Sequence, residues 1–365
     1  MKITSVETVI LDGQFPFVFV HTDEGLVGIE ECFRRQPSVT NTVLDEVLAP
    51  SIIGKDPVDT DARFRDMARA GNALEIGGAI WIGIAGLDIA LWDLKGKSLG
   101  VPIYQLLGGK VRDKVPVYAS SLKRDMTPLE EARRAEYYVD QGYRAYKLHS
   151  AIPGKMDDPS DQTIATVTEV RKAVGDDIDI LVDVNGAYSV HRSIEVGKQL
   201  EQLQVFHFEE PRPHYDLEGL ARVADSLDIP IASGEMIYSH YEYYELITRG
   251  KVDIIQPDIV KTPGFTTFIK IASMADTLGI PITCHNTQPT ISTVAHAHFV
   301  VATPGVPYEQ EYNIEPCSIR DEYPILSEPL NITNGFLEVP ESPGLGIELA
   351  MEIVKKLSQL RMVND

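Results

Sequence analysis

The sequence predicts an α/β protein built around a closed barrel of parallel strands, for three reasons. Helical patterns separate consecutive β-rich runs, and this alternation is typical of parallel sheets. Eight regular units favour closure, and no GxGxxG motif follows a first strand to favour an open doubly wound sheet. The eight runs, from about residue 115 onward, are VPVYAS, YRAYKLH, IDILVDV, QVFHFEE, IPIAS, VDIIQPD, IPITCHN and VPYEQE.

The first hundred residues follow a different pattern. KITSVETVIL and FPFVFVHTDEGLVGIEE alternate apolar and polar residues around glycine-containing turns, which predicts a β-hairpin or meander. Helices are predicted from about Val43 to Gly71 and again through GIAGLDIALWDLKGKSLG. The second helix has lysines in its last turns and is followed by Gly100 and Pro102, which are ordinary stop signals.

The barrel helices carry start signals of their own. In TPLEEARRAEYYVDQG, Thr127 is the predicted N-cap, Pro128 takes the first helical position and Glu130 completes a capping box. The tail contains the strand-like GFLEVPESPG and then a short helix. The predicted organisation is an N-terminal domain over 1–114, a barrel over 115–325, and a C-terminal segment over 326–365 that returns to the N-terminal domain.

Composition narrows the class of protein and its partners. The 365 residues are 44% apolar and 24% charged, as in an ordinary globular protein, and the formal charge is −21. That charge argues against nucleic acid and anionic membranes as partners. The start lacks the apolar region of a signal peptide, and the most apolar run, IGGAIWIGIAGL, is too short to span a bilayer. Three cysteines are an odd number without paired spacing, so we expect a cytoplasmic protein.

Acidic residues end three consecutive strands of the predicted barrel. Asp183, Glu209 and Glu235 are evenly spaced, at intervals of 26 residues. Catalytic groups in such barrels sit at the C-terminal ends of strands, so these acids should meet at one mouth. A hard divalent cation such as Mg²⁺ would relieve their repulsion, although any one of them alone could be a helix cap or loop charge.

Basic residues flank these acids. Lys147 and His149, two positions apart on the second strand, share one face, and His285 comes from the seventh strand, nearly opposite. Asp258, at the end of the sixth strand, is placed to bond the His285 imidazole and to raise its basicity. Cys284 faces the other way from His285 and is expected to belong to the core. Three histidines at helical or opposite-face positions are assigned no function: His191, His207 and His296.

With these residues in place, the sequence resembles the enolase superfamily, in its mandelate racemase subgroup. The resemblance rests on GIAGLDIALWDLKGKSLGVPIYQLLGG, the K-x-H pair, DVNG, FEEP, SGE, QPD and CHN, in that order over essentially the whole chain. It implies a (β/α)7β modified TIM barrel with an α+β capping domain built from the N- and C-terminal segments. It also implies a Mg²⁺ cofactor, a small-molecule carboxylate substrate and a homo-oligomer, from dimer to octamer.

The resemblance also implies roles for single residues. Asn185 matches a substrate-binding position. On the eighth strand, either Glu309 or Glu311 would contact the substrate carboxylate, and Glu311 is preferred. The Mg²⁺ ligands would be Asp183, Glu209 and Glu235, and the acid/base dyad would be Asp258 and His285.

Two departures from the subgroup pattern leave alternatives open. Members commonly carry K-x-K on the second strand, where this chain has His149, so either His149 or Lys147 could be the base. His149 could instead orient substrate hydroxyls. The first specificity loop is also short, so ECFRRQP is expected to supply substrate contacts through Arg34 or Arg35, with Arg34 as the candidate.

The reaction implied is abstraction of the proton α to a carboxylate. Polar groups around the site favour dehydration of an aldonic or aldaric acid to a 2-keto-3-deoxy acid. Racemisation or epimerisation, and lactone cycloisomerisation, are the alternatives within the same chemistry. Outside it stand a non-catalytic binding scaffold and a barrel aldolase that uses Lys147 as a Schiff-base amine.

Overall fold

The computed structural model describes residues 1–74 and 77–359. Glu75, Ile76 and residues 360–365 lie outside the described residues, so the first residue of the predicted apolar run and the end of the predicted C-terminal segment fall there. Within the described part of the chain, no helix combines the length and the apolar character needed to cross a bilayer.

In the described part of the chain, twelve strands form two sheets. The first three pair antiparallel in the order β1-β2-β3, and the fourth to ninth pair in chain order in a second sheet. The strands are β1 (Ile3–Leu11), β2 (Phe15–Thr22), β3 (Val27–Glu31), β4 (Lys114–Ser120), β5 (Ala145–His149), β6 (Asp179–Asp183), β7 (His207–Glu209), β8 (Ile231–Ser233), β9 (Ile254–Ile255), β10 (Gln310–Asn313), β11 (Ile332–Thr333) and β12 (Phe336–Glu338).

Helices surround both sheets. Two short π-helical turns, Leu44–Leu48 and Ser318–Glu322, add to them. The α-helices are α1 (Pro37–Val43), α2 (Ala49–Ile52), α3 (Thr60–Gly71), α4 (Gly78–Leu99), α5 (Ile103–Leu106), α6 (Pro128–Asp140), α7 (Thr163–Val174), α8 (Val190–Gln202), α9 (Leu217–Ala224), α10 (His240–Thr248), α11 (Gly264–Leu278), α12 (Ile291–Ala302) and α13 (Met351–Gln359).

The predicted helix signals are confirmed in two places and wrong in one. Thr127 caps α6 in a capping box with Glu130, and Gly100 ends α4 in the left-handed conformation with φ 68°. The single helix predicted from residue 43 to 71 is instead broken between α2 and α3. Gly54 adopts a φ of 77° in that break and Pro57 follows it, and neither residue suits a continuous helix.

The barrel closes because its first and last strands meet. Strands β4 to β9 pair in parallel from one to the next, and β10 pairs in parallel with β4. The (β/α)-type alternation expected from the sequence therefore forms a closed wall, and the carboxyl ends of all these strands lie at one rim.

The seventh predicted strand, IPITCHN, is the irregular part of this wall. It makes one isolated bridge, Ile255 to Ile282, on the side of β9. On the side of β10, side chains replace the backbone ladder: the Cys284 N–H donates to Gln310 Oε1 at 2.7 Å and the Asn286 N–H donates to Glu311 Oε2 at 2.8 Å. A regular seventh strand is therefore absent from the described residues.

Helix α4 joins the N-terminal sheet to the barrel. The Asp88 carboxylate accepts from the backbone N–H and the hydroxyl of Thr266 in α11, at 3.0 and 2.6 Å. On the other side of α4, Gly28 of β3 packs so closely that a Cβ there would lie 2.1 Å from the Ala90 carbonyl oxygen. The sheet β1-β2-β3 is thereby held against the barrel wall.

The C-terminal segment contacts both parts of the molecule. Strand β12 pairs antiparallel with β4, and the Asp12 N–H after β1 donates to the Leu357 carbonyl of α13 at 3.4 Å. The tail thus reaches the N-terminal sheet but also extends the barrel sheet at β4. The domain limits at 114 and 325 stay a prediction.

Candidate active site

Three carboxylates meet at the rim of the barrel. Asp183 and Glu209 are paired residues at the ends of β6 and β7, and Glu235 lies two residues beyond β8. One oxygen from each lies within 4.8 Å of the other two. Parallel pairing produces this convergence, because equivalent ends of neighbouring strands lie side by side.

The chemistry of these groups fits a divalent cation. Burial alone would raise the pKa of both Asp183 and Glu235. Neighbouring His149, with a lysine nearby, instead holds the pKa of Asp183 below its ordinary value. His285, also with lysines nearby, holds the pKa of Glu235 well below its ordinary value. Both groups are therefore carboxylates at neutral pH. An all-oxygen, anionic set is the kind that a hard cation such as Mg²⁺ prefers, so the triad could hold a metal ion.

Lys147 lies between two acids beneath the triad. Its ammonium is 2.9 and 3.1 Å from the two Glu209 oxygens and 2.8 Å from Glu311 Oε1. Burial lowers the pKa of Lys147, but Glu209 and Glu311 outweigh that effect and raise the pKa well above its ordinary value. The side chain is a fixed ammonium in this arrangement.

His149 is anchored at one nitrogen and points into the site with the other. Its Nδ1 lies 2.6 Å from the Ser121 carbonyl oxygen, which can only accept, so Nδ1 carries a proton. Its Nε2 lies 2.9 Å from Asp183 Oδ2. The carbonyl therefore fixes the tautomer in which Nε2 faces the triad.

His285 has the same arrangement on the other side. Its Nδ1 lies 2.7 Å from Asp258 Oδ2 and its Nε2 lies 2.8 Å from Glu235 Oε2. Burial lowers the pKa of His285, yet Glu235, Glu311 and Asp258 together raise it to about 10. The backbone bond from the His285 N–H to the Pro257 carbonyl, 3.1 Å, brings the two residues of this pair together.

The two candidate acids of the eighth strand lie at different depths. Glu311 accepts from Ser120 Oγ at 2.6 Å and, as described above, from Lys147 and the Asn286 N–H, so it lies in the site. Glu309 lies two residues lower, beside Tyr118 and Phe206 near the barrel floor. The geometry thus places Glu311, rather than Glu309, next to the triad.

Asn185 and Arg34, the other two predicted contacts, differ in position. Asn185 adopts a φ of 43°, and its side-chain amide donates to Asp183 Oδ2 at 2.9 Å. The half-buried Arg34 makes no hydrogen bond or ion pair within residues 1–74 and 77–359, and its charge acts on Glu31. The structure therefore brings Asn185 to the triad but not Arg34.

Two cationic side chains of the site were missed from the sequence. Arg124, after β4, donates a hydrogen bond to the side-chain Oδ1 of Asn185, and Lys261 lies 3.7 Å from Glu235 Oε1. Both follow their strands by a few residues, outside the alternating pattern that located the other residues. The motif QPDIVK contained a usable signal, because a lysine three residues after Asp258 returns to the same side of a tight turn.

The interpretation of His207 as an opposite-face residue is wrong. It is fully buried, and its Nε2 lies 3.5 Å from Glu209 Oε2, so both side chains share the inner face of β7. The spacing of two residues from Glu209 required this, since alternate residues of a strand face the same way. His207 lies one layer beneath the triad and does not reach the rim.

Comparison with known proteins agrees with this architecture. Residues 2–108 match the family described as mandelate racemase / muconate lactonizing enzyme, N-terminal domain, and residues 130–353 match the family described as enolase C-terminal domain-like. These two matches cover both the N-terminal sheet with its helices and almost all of the barrel.

Individual relatives extend over nearly the whole chain. Arabinonate dehydratase of Saccharolobus solfataricus is 33% identical over 90% of this chain and 86% of its own, and D-galactonate dehydratase of Pectobacterium atrosepticum is 33% identical over 98% and 95%. The crystal structure of the 3,6-anhydro-D-galactonate cycloisomerase from Zobellia galactanivorans superposes with a TM-score of 0.88 at 29% identity, covering 98% of this chain and 99% of that one. The predicted fold is confirmed, and the chain belongs to the mandelate racemase/muconate lactonizing enzyme family of the enolase superfamily.

Proposed function

We propose that this protein dehydrates a sugar acid, an aldonate or aldarate, to a 2-keto-3-deoxy acid with Mg²⁺ at the carboxylate triad. One observation carries the proposal: His149 and His285 approach the triad from different sides, each with Nδ1 anchored and Nε2 directed inward. A carbon atom held between them would have a proton acceptor on one side and a proton donor on the other. The arabinonate and D-galactonate dehydratases among the relatives support the same reaction.

His149 is the proposed base. Lys147 is less suited to that role, because its ammonium is bonded to two carboxylates and its pKa is raised. His149 would take the proton from the α-carbon at Nε2, the nitrogen that is directed to the triad, while Nδ1 stays bonded to the Ser121 carbonyl. The C–H electron pair then forms the new C=C bond as the β-hydroxyl departs.

His285 is the proposed acid. Its raised pKa keeps the imidazole protonated at neutral pH, with Nδ1 bonded to Asp258, and Nε2, which is directed into the site, would give its proton to the departing β-hydroxyl. The hydroxyl leaves as water, and the enol that remains tautomerises to the keto acid. Lys147 and Glu311 are the proposed partners of the substrate carboxylate, with Asn185 as a contact nearby.

The metal completes the site. Bound Mg²⁺ acts as a Lewis acid that makes the proton next to the carboxylate more acidic. Asp183, Glu209 and Glu235 would hold it. The Lys147 ammonium adds fixed positive charge near the carboxylate, where negative charge develops as the proton leaves.

A second reaction has support from one neighbour. The superposition with a 3,6-anhydro-D-galactonate cycloisomerase shows that the same architecture serves an isomerase. A cycloisomerase, racemase or epimerase would share the proton abstraction by His149 and differ only in the later step. Product analysis separates these outcomes from dehydration.

The decisive experiment is a screen of sugar-acid stereoisomers, including arabinonate and D-galactonate, with Mg²⁺ and with EDTA. We expect keto acid to form only with the metal, and His149→Asn and His285→Asn each to slow its formation about 100-fold or more. The exposed His191, changed to Asn, is the matched control and should leave the rate unchanged.

Other results of the screen would redirect the proposal. Deuterium incorporation at the α-carbon without keto acid would indicate a racemase or epimerase, and interconversion with a lactone would indicate a cycloisomerase. No α-proton exchange with any acid would favour a binding scaffold.

Two further expectations also remain proposals. We propose that the protein is a homo-oligomer between dimer and octamer, which sedimentation velocity would test. A cytoplasmic location likewise stays a prediction, supported by the cysteine usage and the charge of the sequence.

A further inference from the structure

A lysine that the proposed reaction does not use lies at the edge of the site. Lys261 follows β9, and its backbone N–H donates to the Asp258 carbonyl at 3.1 Å, so a tight turn directs its side chain toward the rim. The residue is only 3% exposed. A buried ammonium is costly unless oxygen atoms accept its three N–H donors.

Within residues 1–74 and 77–359, those donors have no oxygen partner at hydrogen-bond distance. Among the described residues, the shortest polar contacts of the Lys261 ammonium are Glu235 Oε1 at 3.7 Å and the Met236 sulfur at 3.8 Å. The first distance exceeds that of a hydrogen bond, and a thioether is a weak acceptor. The Lys261 side chain is therefore charged and enclosed but poorly hydrogen-bonded.

The N-terminal domain holds this ammonium in place from above. The Phe33 ring, in the loop after β3, lies 5.0 Å from the Lys261 Nζ, within the range of a cation–π contact. That loop is itself fixed to the barrel, because Glu31 accepts from the N–H and hydroxyl of Thr290 at 3.1 and 2.6 Å. Lys261 thus lies between Phe33 and Glu235, on the His285 side of the triad.

We propose that Lys261 is a substrate-binding residue that donates hydrogen bonds to hydroxyl oxygens of the sugar acid beyond its α-carbon. This inference rests on the proposed function. Lys147, which is bonded to Glu209 and Glu311, is assigned to the carboxylate end of the substrate, and Lys261 lies beside Glu235 instead, which leaves the hydroxylated chain for Lys261. Hydroxyl oxygens would supply close acceptors, which the described residues do not provide.

A structural role is the competing explanation. Lys261 could serve only as a counter-charge to three buried acids whose charges act on it, namely Glu235, Asp258 and Glu210. In that case its removal would alter metal binding at the triad and leave sugar-acid affinity unchanged. A substrate-binding role predicts the reverse.

The test measures binding rather than turnover. In the His285→Asn background, which should not complete the reaction, calorimetry with Mg²⁺ present gives the affinities for arabinonate, D-galactonate and any acid found by the screen. We expect Lys261→Met to weaken binding of the preferred acid about 10- to 100-fold, the effect of removing a charged hydrogen-bond donor. Lys261→Arg should recover most of this loss, Phe33→Leu should cause a smaller one, and Mg²⁺ affinity should not fall.

Each alternative outcome has a definite meaning. Equal sugar-acid affinity with Met or Lys at position 261, or a fall in Mg²⁺ affinity that accounts for the whole loss, overturns the inference. Sugar-acid binding that depends on Lys261 without keto-acid formation by the wild type refutes the dehydratase proposal alone. Failure of every sugar acid to bind refutes both.

Discussion

The hydrogen bond at Nδ1 distinguishes the two imidazoles at the rim. The Ser121 carbonyl and the Asp258 carboxylate both hold an Nδ1, at 2.6 and 2.7 Å, but only the carboxylate carries charge. A charged acceptor favours the imidazolium, whereas a neutral carbonyl only selects a tautomer. The two Nδ1 distances are nearly equal, but the acceptors differ in charge. This difference suits His149 to the proposed role of base and His285 to that of acid.

This difference predicts a change in pH dependence. Asp258→Asn removes a group that raises the pKa of His285, so the acid should lose its proton at lower pH. The alkaline limb of kcat/KM should move down by about 1 pH unit, and the rate at neutral pH should fall. Initial rates between pH 6 and 10 would measure this.

The half-exposed Asp61, changed to Asn, is the matched control and should leave the limb in place. An alkaline limb that stays fixed in Asp258→Asn would show that another group sets it.

At this scale, strand periodicity explains which residues the sequence could locate. Asp183, Glu209, Lys147 and His149 lie at regular strand ends, where alternation fixes the face of each side chain. Glu235 lies two residues beyond β8, and His285 lies in the irregular seventh segment. Lys261 and Arg124 lie beyond the ends of their strands, where strand alternation does not fix the direction of a side chain. Arg34 was predicted from its charge alone, while the adjacent Phe33 makes the contact with the site.

At the scale of elements, helix α4 connects the N-terminal sheet to the barrel. Two aspartates link the helices of that domain to α11: Asp88 of α4 through Thr266, and Asp61 of α3 through Lys270 at 3.1 Å. The first link is fully buried and the second is largely exposed. The sequence predicted α4 itself but not this contact, since partners almost two hundred residues apart leave no local signal.

The two links should differ in their contribution to stability. Asp88→Ala leaves the buried N–H and hydroxyl of Thr266 without their acceptor and should lower the free energy of unfolding by about 2–3 kcal/mol. Asp61→Ala removes an exposed ion pair and should cost about 0.5 kcal/mol or less. Urea unfolding followed by circular dichroism measures both. Similar losses in the two variants would contradict this ranking.

At the scale of the whole molecule, acidic groups are concentrated where the two parts meet. Burial raises the pKa of Glu31 to about 7 and that of Glu30 well above its ordinary value, and both belong to β3 and contact the start of α12. A carboxyl with a raised pKa binds its proton more tightly in the folded state. Its contribution to stability is present at low pH and declines as the pH rises from the pKa of the group in the unfolded state toward its pKa in the folded state.

Glu31→Gln isolates this contribution. The stability of the variant relative to the wild type should increase by up to about 3 kcal/mol between pH 4.5 and 7, because the wild type must ionise a buried group over that range. Urea unfolding with EDTA at several pH values gives the difference. For the exposed Glu352, changed to Gln, the difference in stability from the wild type should not vary with pH. If the difference for Glu31→Gln did not vary with pH either, the pKa of the Glu31 carboxyl would be the same in the folded and unfolded states.

The join between the last two segments of the barrel has a mechanical consequence. Two amides of the His285 segment are held by the side chains of Gln310 and Glu311 and not by a neighbouring backbone. If the Glu311 carboxylate turned toward a bound substrate, it would release the Asn286 amide. Substrate binding would therefore loosen the barrel wall at this point. That loosening would occur one residue from His285, the proposed acid.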